Sequence, residues 1–89
     1  MRVVIIGAGD AGRRLAARLC EEKHDVVLVD RRAEPLDEIS SEIDVQTVRG
    51  SGTSPRVLEE AGVGRAGLVA AVTDRDEVNI LAAVFSNES

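Results

Sequence analysis

The sequence predicts an α/β fold built on a doubly wound parallel sheet, and three observations carry this prediction. Four short apolar runs are rich in β-branched residues, as strands buried on both faces are. The segments between them place apolar residues at helical spacing. A glycine-rich turn joins the first run to the first of these segments. Strands connected by helical crossovers run parallel, and such crossovers are right-handed.

The predicted strands occupy residues 2–6, 26–29, 45–48 and 68–72. Their sheet order is 3-2-1-4, with the topological switch between strands 1 and 4. We expect residues 1–89 to be the N-terminal part of a Rossmann-like domain, because the fifth and sixth strands of the full fold have no sequence here. Strand 4 would be a bare edge, which favours a dimer or a fragment of a longer protein.

Four helices are predicted to accompany these strands. The first covers residues 11–23, and the second begins near Pro35. The third opens at Pro55 and ends at Gly62 with a left-handed cap. The fourth is expected after strand 4, with Asp74 as its cap. Its apolar face would consist of Ile80, Leu81, Val84 and Phe85.

Length, charge and composition exclude several classes of function. The chain has 89 residues, 44% hydrophobic and 30% charged, which fits one small globular domain. Its net charge of −5 and its single aromatic residue, Phe85, are unsuited to binding nucleic acid. No apolar run approaches the roughly 20 residues that cross a bilayer. Residues 3–6 are too short for the core of a signal peptide.

The strongest functional signal is the G-x-G-x-x-G turn that follows strand 1 and opens helix 1. Its first glycine allows a tight turn, its second lets the backbone approach a pyrophosphate, and its third lets helix and strand pack closely. The free N–H groups and the positive dipole end of the helix then face the phosphates. The turn is predicted to bind a nucleotide through Gly7, Ala8, Gly9, Asp10, Ala11 and Gly12.

Asp30 ends strand 2, where a carboxylate accepts hydrogen bonds from both ribose hydroxyls of an adenosine. Such a carboxylate favours a free 2′-hydroxyl over a 2′-phosphate. This predicts NAD(H) first, with ATP or ADP as alternatives, rather than NADP(H). Arg31 and Arg32 leave the choice open, because an arginine here can hold a 2′-phosphate, lie over the adenine or point into solvent.

Two further loops are expected near the ligand. Strands 1 and 4 flank the switch point, so the loop at Thr73 and Asp74 faces the phosphates, although Asp74 also suits a helix cap. The loop at residues 50–54 either lies beside the adenosine or only connects a strand to a helix. The sequence contains no cysteine or histidine cluster for a metal and no nucleophile paired with a base.

Several segments together resemble the TrkA N-terminal domain, also called the RCK or KTN domain. They are residues 1–12, residues 29–30, 50–52 and 57–62, and the A-V-T-D-x-x-E-x-N block at residues 71–79. The resemblance covers nearly the whole chain. It is more specific than the glycine turn, since these blocks are not general features of dehydrogenases.

This resemblance implies a cytoplasmic regulatory domain, held at the inner face of the membrane by a partner. It implies binding of NAD(H) or an adenine nucleotide, control of a potassium-conducting membrane protein, assembly into dimers or larger homo-oligomers, and no enzyme activity. Residues 7–11 would hold the pyrophosphate and Asp30 the ribose, while Thr73 and Asp74 would line the far side of the cleft. The later strands of the family, with their phosphate-contacting and dimerising segments, have no counterpart before Ser89.

Two other functions remain open from the sequence. The chain would be the cofactor-binding half of an NAD-dependent dehydrogenase if residues existed for chemistry at the nicotinamide, and the sequence shows none. It would be an interaction module with a vestigial site if no adenine nucleotide bound to it.

Overall fold

The computed structural model describes residues 1–72 in full and the backbone of residues 78–82. Its one sheet has the strand order β3-β2-β1-β4-β5, with the first four strands parallel. The predicted fold class and the strand order 3-2-1-4 are therefore confirmed. In chain order the elements are β1 (Arg2–Ile6), α1 (Asp10–Glu21), β2 (Asp25–Asp30), α2 (Ala33–Glu42), β3 (Gln46–Arg49), α3 (Pro55–Ala61), a 3-10 turn (Val63–Arg65), β4 (Leu68–Val72) and β5 (Val78–Ala82).

The strands β1 and β2 contribute side chains to a hydrophobic core on each face of the sheet, and helices cover both faces. Successive residues of a strand point to opposite faces, so Val3 and Ile5 pack on one side and Val4 on the other. The first side also holds Ala16 of α1 and Leu36 of α2. The second side holds Ala61 of α3, together with Val27, Val29, Val48, Ala66 and Val69. This double burial explains why the strands are continuously apolar in sequence.

Local signals place the ends of α3 where the sequence predicts them. The Ser54 hydroxyl accepts a hydrogen bond from the backbone N–H of Val57 at 3.5 Å, and Pro55 is the first helical residue. At the other end Gly62 has φ of +83° and ψ of +32°, the left-handed conformation that a side chain disfavours. These ends fix the length of α3 against β3 and β2.

The predicted fourth helix is wrong over residues 78–82, which form β5. This strand pairs antiparallel with β4, from Val72 opposite Val78 to Leu68 opposite Ala82. Without a neighbouring strand, the outer edge of β4 would leave backbone N–H and C=O groups unpaired, and pairing with β5 satisfies them. An apolar run this short fits a strand as well as a helix.

The prediction of a bare edge at β4 is wrong for the same reason, because β5 covers it. The dimer inferred from that edge loses its argument, while the oligomer implied by the family resemblance stays a prediction. The cap at Asp74 and the apolar positions Val84 and Phe85 lie outside the described residues.

Candidate nucleotide-binding site

The glycine turn between β1 and α1 is shaped by two close approaches and one open position. Gly7 has φ of +112°, and a Cβ on it would overlap the carbonyl oxygen of Val72 at the end of β4. A Cβ on Gly12 would overlap the carbonyl oxygen of Gly7, which holds the helix against the turn. A Cβ on Gly9 would meet no described atom within 4 Å. Gly7 and Gly12 thus serve packing, and Gly9 leaves the turn accessible.

The N-terminus of α1 presents backbone donors at this open position. Gly9 is the N-cap residue, and no side chain of the described residues hydrogen-bonds to the cap. The carboxylate of Asp10 does not cap the helix, and its Oδ1 instead accepts a hydrogen bond from Arg13 Nη2 at 2.7 Å. Arg13 also donates to Glu38 of α2 at 3.0 Å. Asp10 and Ala11 therefore offer this end of the helix their backbone N–H groups.

Asp30 lies directly beside the turn and is held there by hydrogen bonds. Its side chain is 9% exposed, and Oδ2 accepts from the backbone N–H of Ala8 at 2.8 Å. Oδ1 accepts from the backbone N–H of Arg32 at 2.8 Å, and the Arg32 guanidinium donates to both oxygens, from Nε at 3.1 Å and Nη2 at 3.3 Å. Burial raises the pKa of Asp30, but the hydrogen bonds and charge of Arg32, with the Ala8 N–H, outweigh it and lower the pKa below its usual value.

Three loops meet at the carboxyl end of β2. The N–H of Gly7 donates to the carbonyl of Val29 at 2.7 Å, and the N–H of Gly50 donates to the carbonyl of Asp30 at 2.8 Å. A cleft of about 430 Å³ opens here, lined by Asp30, Arg31, Arg32, Gly50 and Gly52. It lies at the carboxyl ends of parallel strands, where ligands bind in open α/β sheets.

The structure brings most of the predicted site residues together. The turn at residues 7–12 lies next to Asp30, which accepts a hydrogen bond from the Ala8 N–H, and Arg31 lines the cleft. Thr73 and Asp74 lie outside the described residues, so their roles stay predictions. The loop at residues 50–54, left open from the sequence, supplies Gly50 and Gly52 to the cleft.

Arg32 was left with three possible roles from the sequence, and none of them was the contact that its guanidinium makes with Asp30. The available signal was its spacing, because a residue two positions after an aspartate is placed to donate its N–H back to the carboxylate. Within the described part of the chain there is no cluster of three or more metal-ligating side chains. No helix among these residues is long and apolar enough to cross a membrane.

A comparison with known families agrees with this geometry. The family model described as the TrkA-N domain matches residues 3–89. The chain belongs to the TrkA-N family. The family resemblance expected from the sequence is thereby confirmed.

Curated relatives of this TrkA-N chain carry one recurrent name. This chain is 43% identical over 82 residues to the Trk system potassium uptake protein TrkA of Halomonas elongata, and the match covers 92% of this chain and 18% of the relative. It is 42% identical over 82 residues to that of Haemophilus influenzae, with the same coverage. It is 40% identical over 88 residues to the TrkA homolog of Archaeoglobus fulgidus, covering 99% of this chain and 20% of the relative. The chain thus spans about a fifth of the length of these relatives.

Gly12→Ala is predicted to destabilise the domain by about 2–4 kcal/mol, because the new Cβ must push α1 away from the Gly7 carbonyl. Gly9→Ala is the matched control and is expected to change stability by less than about 1 kcal/mol, since its Cβ enters open space. Urea unfolding followed by circular dichroism measures both. Equal losses in the two variants would contradict this account of the turn.

Asp30→Asn is predicted to remove about 1–3 kcal/mol of stability near neutral pH and to flatten the acid limb of the stability curve. The pKa of Asp30 is lower in the folded than in the unfolded chain. Its stabilisation is therefore complete above the unfolded pKa and is lost as the pH falls through the folded pKa. Urea unfolding between about pH 6 and pH 3 measures the slope. Asp37→Asn, an exposed carboxylate on α2, is the control; equal slopes for wild type and Asp30→Asn would overturn the prediction.

Proposed function

We propose that this domain binds NAD(H), with ATP or ADP as alternative ligands of the same site, and that binding regulates potassium transport by a membrane protein. The observation that carries the proposal is the position of the Asp30 carboxylate, 2.8 Å from the Ala8 N–H of the glycine turn. The carboxylate that would accept the ribose hydroxyls is thus adjacent to the turn that would bind the phosphates. This arrangement supports binding of an adenosine diphosphate moiety.

In this proposal, different residues bind the pyrophosphate, the ribose and the adenine of such a ligand. The pyrophosphate lies over Gly9 and the first N–H groups of α1, where the helix dipole favours negative charge. The ribose hydroxyls donate to Asp30, and the adenine occupies the cleft between Arg31 and Gly52. A carboxylate at the ribose disfavours a 2′-phosphate, which supports NAD(H) over NADP(H).

The regulatory part of the proposal comes from the relatives. They are named potassium uptake proteins, and the match reaches 92–99% of this chain. We place the domain at the inner face of the membrane, acting on a potassium-conducting partner as a homo-oligomer. Nucleotide binding shifts the domain between two conformations, and the partner responds because it has different affinities for them.

The cofactor-binding half of a dehydrogenase is the second candidate. Hydride transfer needs a substrate and a proton donor or acceptor at the nicotinamide. The sequence shows no obvious proton donor for chemistry at the nicotinamide. The names of the relatives also favour regulation. The two functions differ in whether bound NADH is consumed.

NADH at about 100 times its dissociation constant is predicted to stabilise the domain by about 2.7 kcal/mol, a shift of several degrees in Tm. Circular dichroism is the suitable signal because the chain has no Trp or Tyr. Asp30→Ala is expected to abolish most of the shift with NADH and ADP, whereas Asp37→Asn keeps it. The absence of a shift with NADH, ATP and ADP alike would sink the nucleotide proposal.

A chimera tests the regulatory step. The matching segment of Haemophilus influenzae TrkA is replaced by this chain, and potassium uptake is measured in cells that lack their own TrkA. We expect the chimera to restore uptake and Asp30→Ala to lower it about threefold or more at equal protein level. Arg65→Ala, an exposed substitution in the 3-10 turn, is the control. Full uptake by an Asp30→Ala chimera that has lost nucleotide binding would refute regulation through this site.

A further inference from the structure

The Asp30 carboxylate has its hydrogen-bonding positions filled in the structure. A carboxylate accepts about four hydrogen bonds. Oδ1 accepts from the N–H and Nε of Arg32, at 2.8 and 3.1 Å, and Oδ2 accepts from Ala8 N–H and Arg32 Nη2, at 2.8 and 3.3 Å. A ribose diol that binds here needs two of these positions.

Two of the four donors are fixed and two can leave. Ala8 is 1% exposed in the turn, and its N–H cannot move away from Asp30 without moving β1 or α1. The Arg32 N–H belongs to the N-cap residue of α2 and is part of that helix entry. The Arg32 side chain is 61% exposed, and its guanidinium can leave Asp30 by a change of side-chain torsions that moves no backbone. The guanidinium therefore holds the two positions that the ribose would take.

We propose that Arg32 is an internal competitor for the ribose subsite: its guanidinium occupies Asp30 in the free domain and is displaced when the ribose of NAD(H) binds. This inference rests on the proposed nucleotide site. Because the ribose binds only when the guanidinium is away from Asp30, the apparent affinity is the intrinsic affinity multiplied by the fraction of molecules in which the subsite is vacant. It also ties selectivity to one side chain, since a 2′-phosphate would pair with the guanidinium instead of displacing it.

The experiment compares the wild-type chain with Arg32→Ala, and NADH with NADPH. Arg32→Ala is expected to tighten NADH about two- to fivefold and to weaken NADPH about fivefold, measured by calorimetric titration. Arg65→Ala removes the same charge at the opposite end of the strands and is expected to leave both affinities within about twofold. Arg31→Ala removes a neighbouring charge and is not expected to tighten NADH, since Arg31 is not among the described donors to Asp30.

A second measurement needs no nucleotide. In the free domain, carbon-13 NMR of the Asp30 carboxyl follows its titration. Arg32→Ala is expected to raise the pKa of Asp30, because the guanidinium hydrogen bonds that lower it are lost. An unchanged titration would show that the contact does not exist in solution and would overturn the inference.

The outcomes separate this inference from the proposed function. If wild type binds NADH and Arg32→Ala binds it equally or more weakly, the competitor role is wrong while the nucleotide site stands. If Arg32→Ala alone binds NADH, the competitor role is supported in its strongest form. If neither protein binds any adenine nucleotide, the proposed site and the inference fail together.

Discussion

The carboxyl end of β2 is the anchor on which the rest of the candidate site depends. The carbonyls of Val29 and Asp30 accept hydrogen bonds from Gly7 and Gly50, and the Asp30 carboxylate accepts from Ala8. The two backbone bonds, from Gly7 and Gly50, continue the parallel pairing of β1 and β3 with β2 for one residue beyond the strands. Because three loops share this one strand end, their relative positions follow from the sheet and need no contacts between the loops themselves.

The same anchor sets two requirements against each other. A carboxylate that is 9% exposed needs donors when no ligand is present, because a buried unpaired charge is costly. Ala8 and the Arg32 N–H supply two, and the Arg32 guanidinium supplies the rest. Donors that satisfy the free domain occupy positions that a ligand would use. If a ribose binds at Asp30, the stability of the empty site and the affinity for the ribose are opposed through one contact, and both would depend on Arg32.

What the sequence could predict, and what it could not, follows from the range of each interaction. The buried strands and the roles of Gly7 and Gly12 were predictable, because continuous apolar runs and a glycine turn are local patterns. Asp30 was found by its place at the end of a strand. β5 was missed because a run of five residues fits two periodicities, and the edge of β4 decides between them. The contact of Arg32 with Asp30 was missed because it depends on a side-chain rotamer.

A domain that regulates by binding a nucleotide needs a residue that contacts the ligand and is also connected to other parts of the domain. As a ligand contact, Asp30 would meet this need, because its carboxylate is hydrogen-bonded to the β1–α1 turn and its backbone carbonyl to the loop after β3. In the proposed exchange, a neutral ribose donor replaces a cationic guanidinium at this carboxylate, while the two backbone donors stay in place. The positive charge of Arg32, at the start of α2, would then no longer be bound to Asp30. In a chain of net charge −5, such a displaced arginine would alter the local surface potential without any rearrangement of the core.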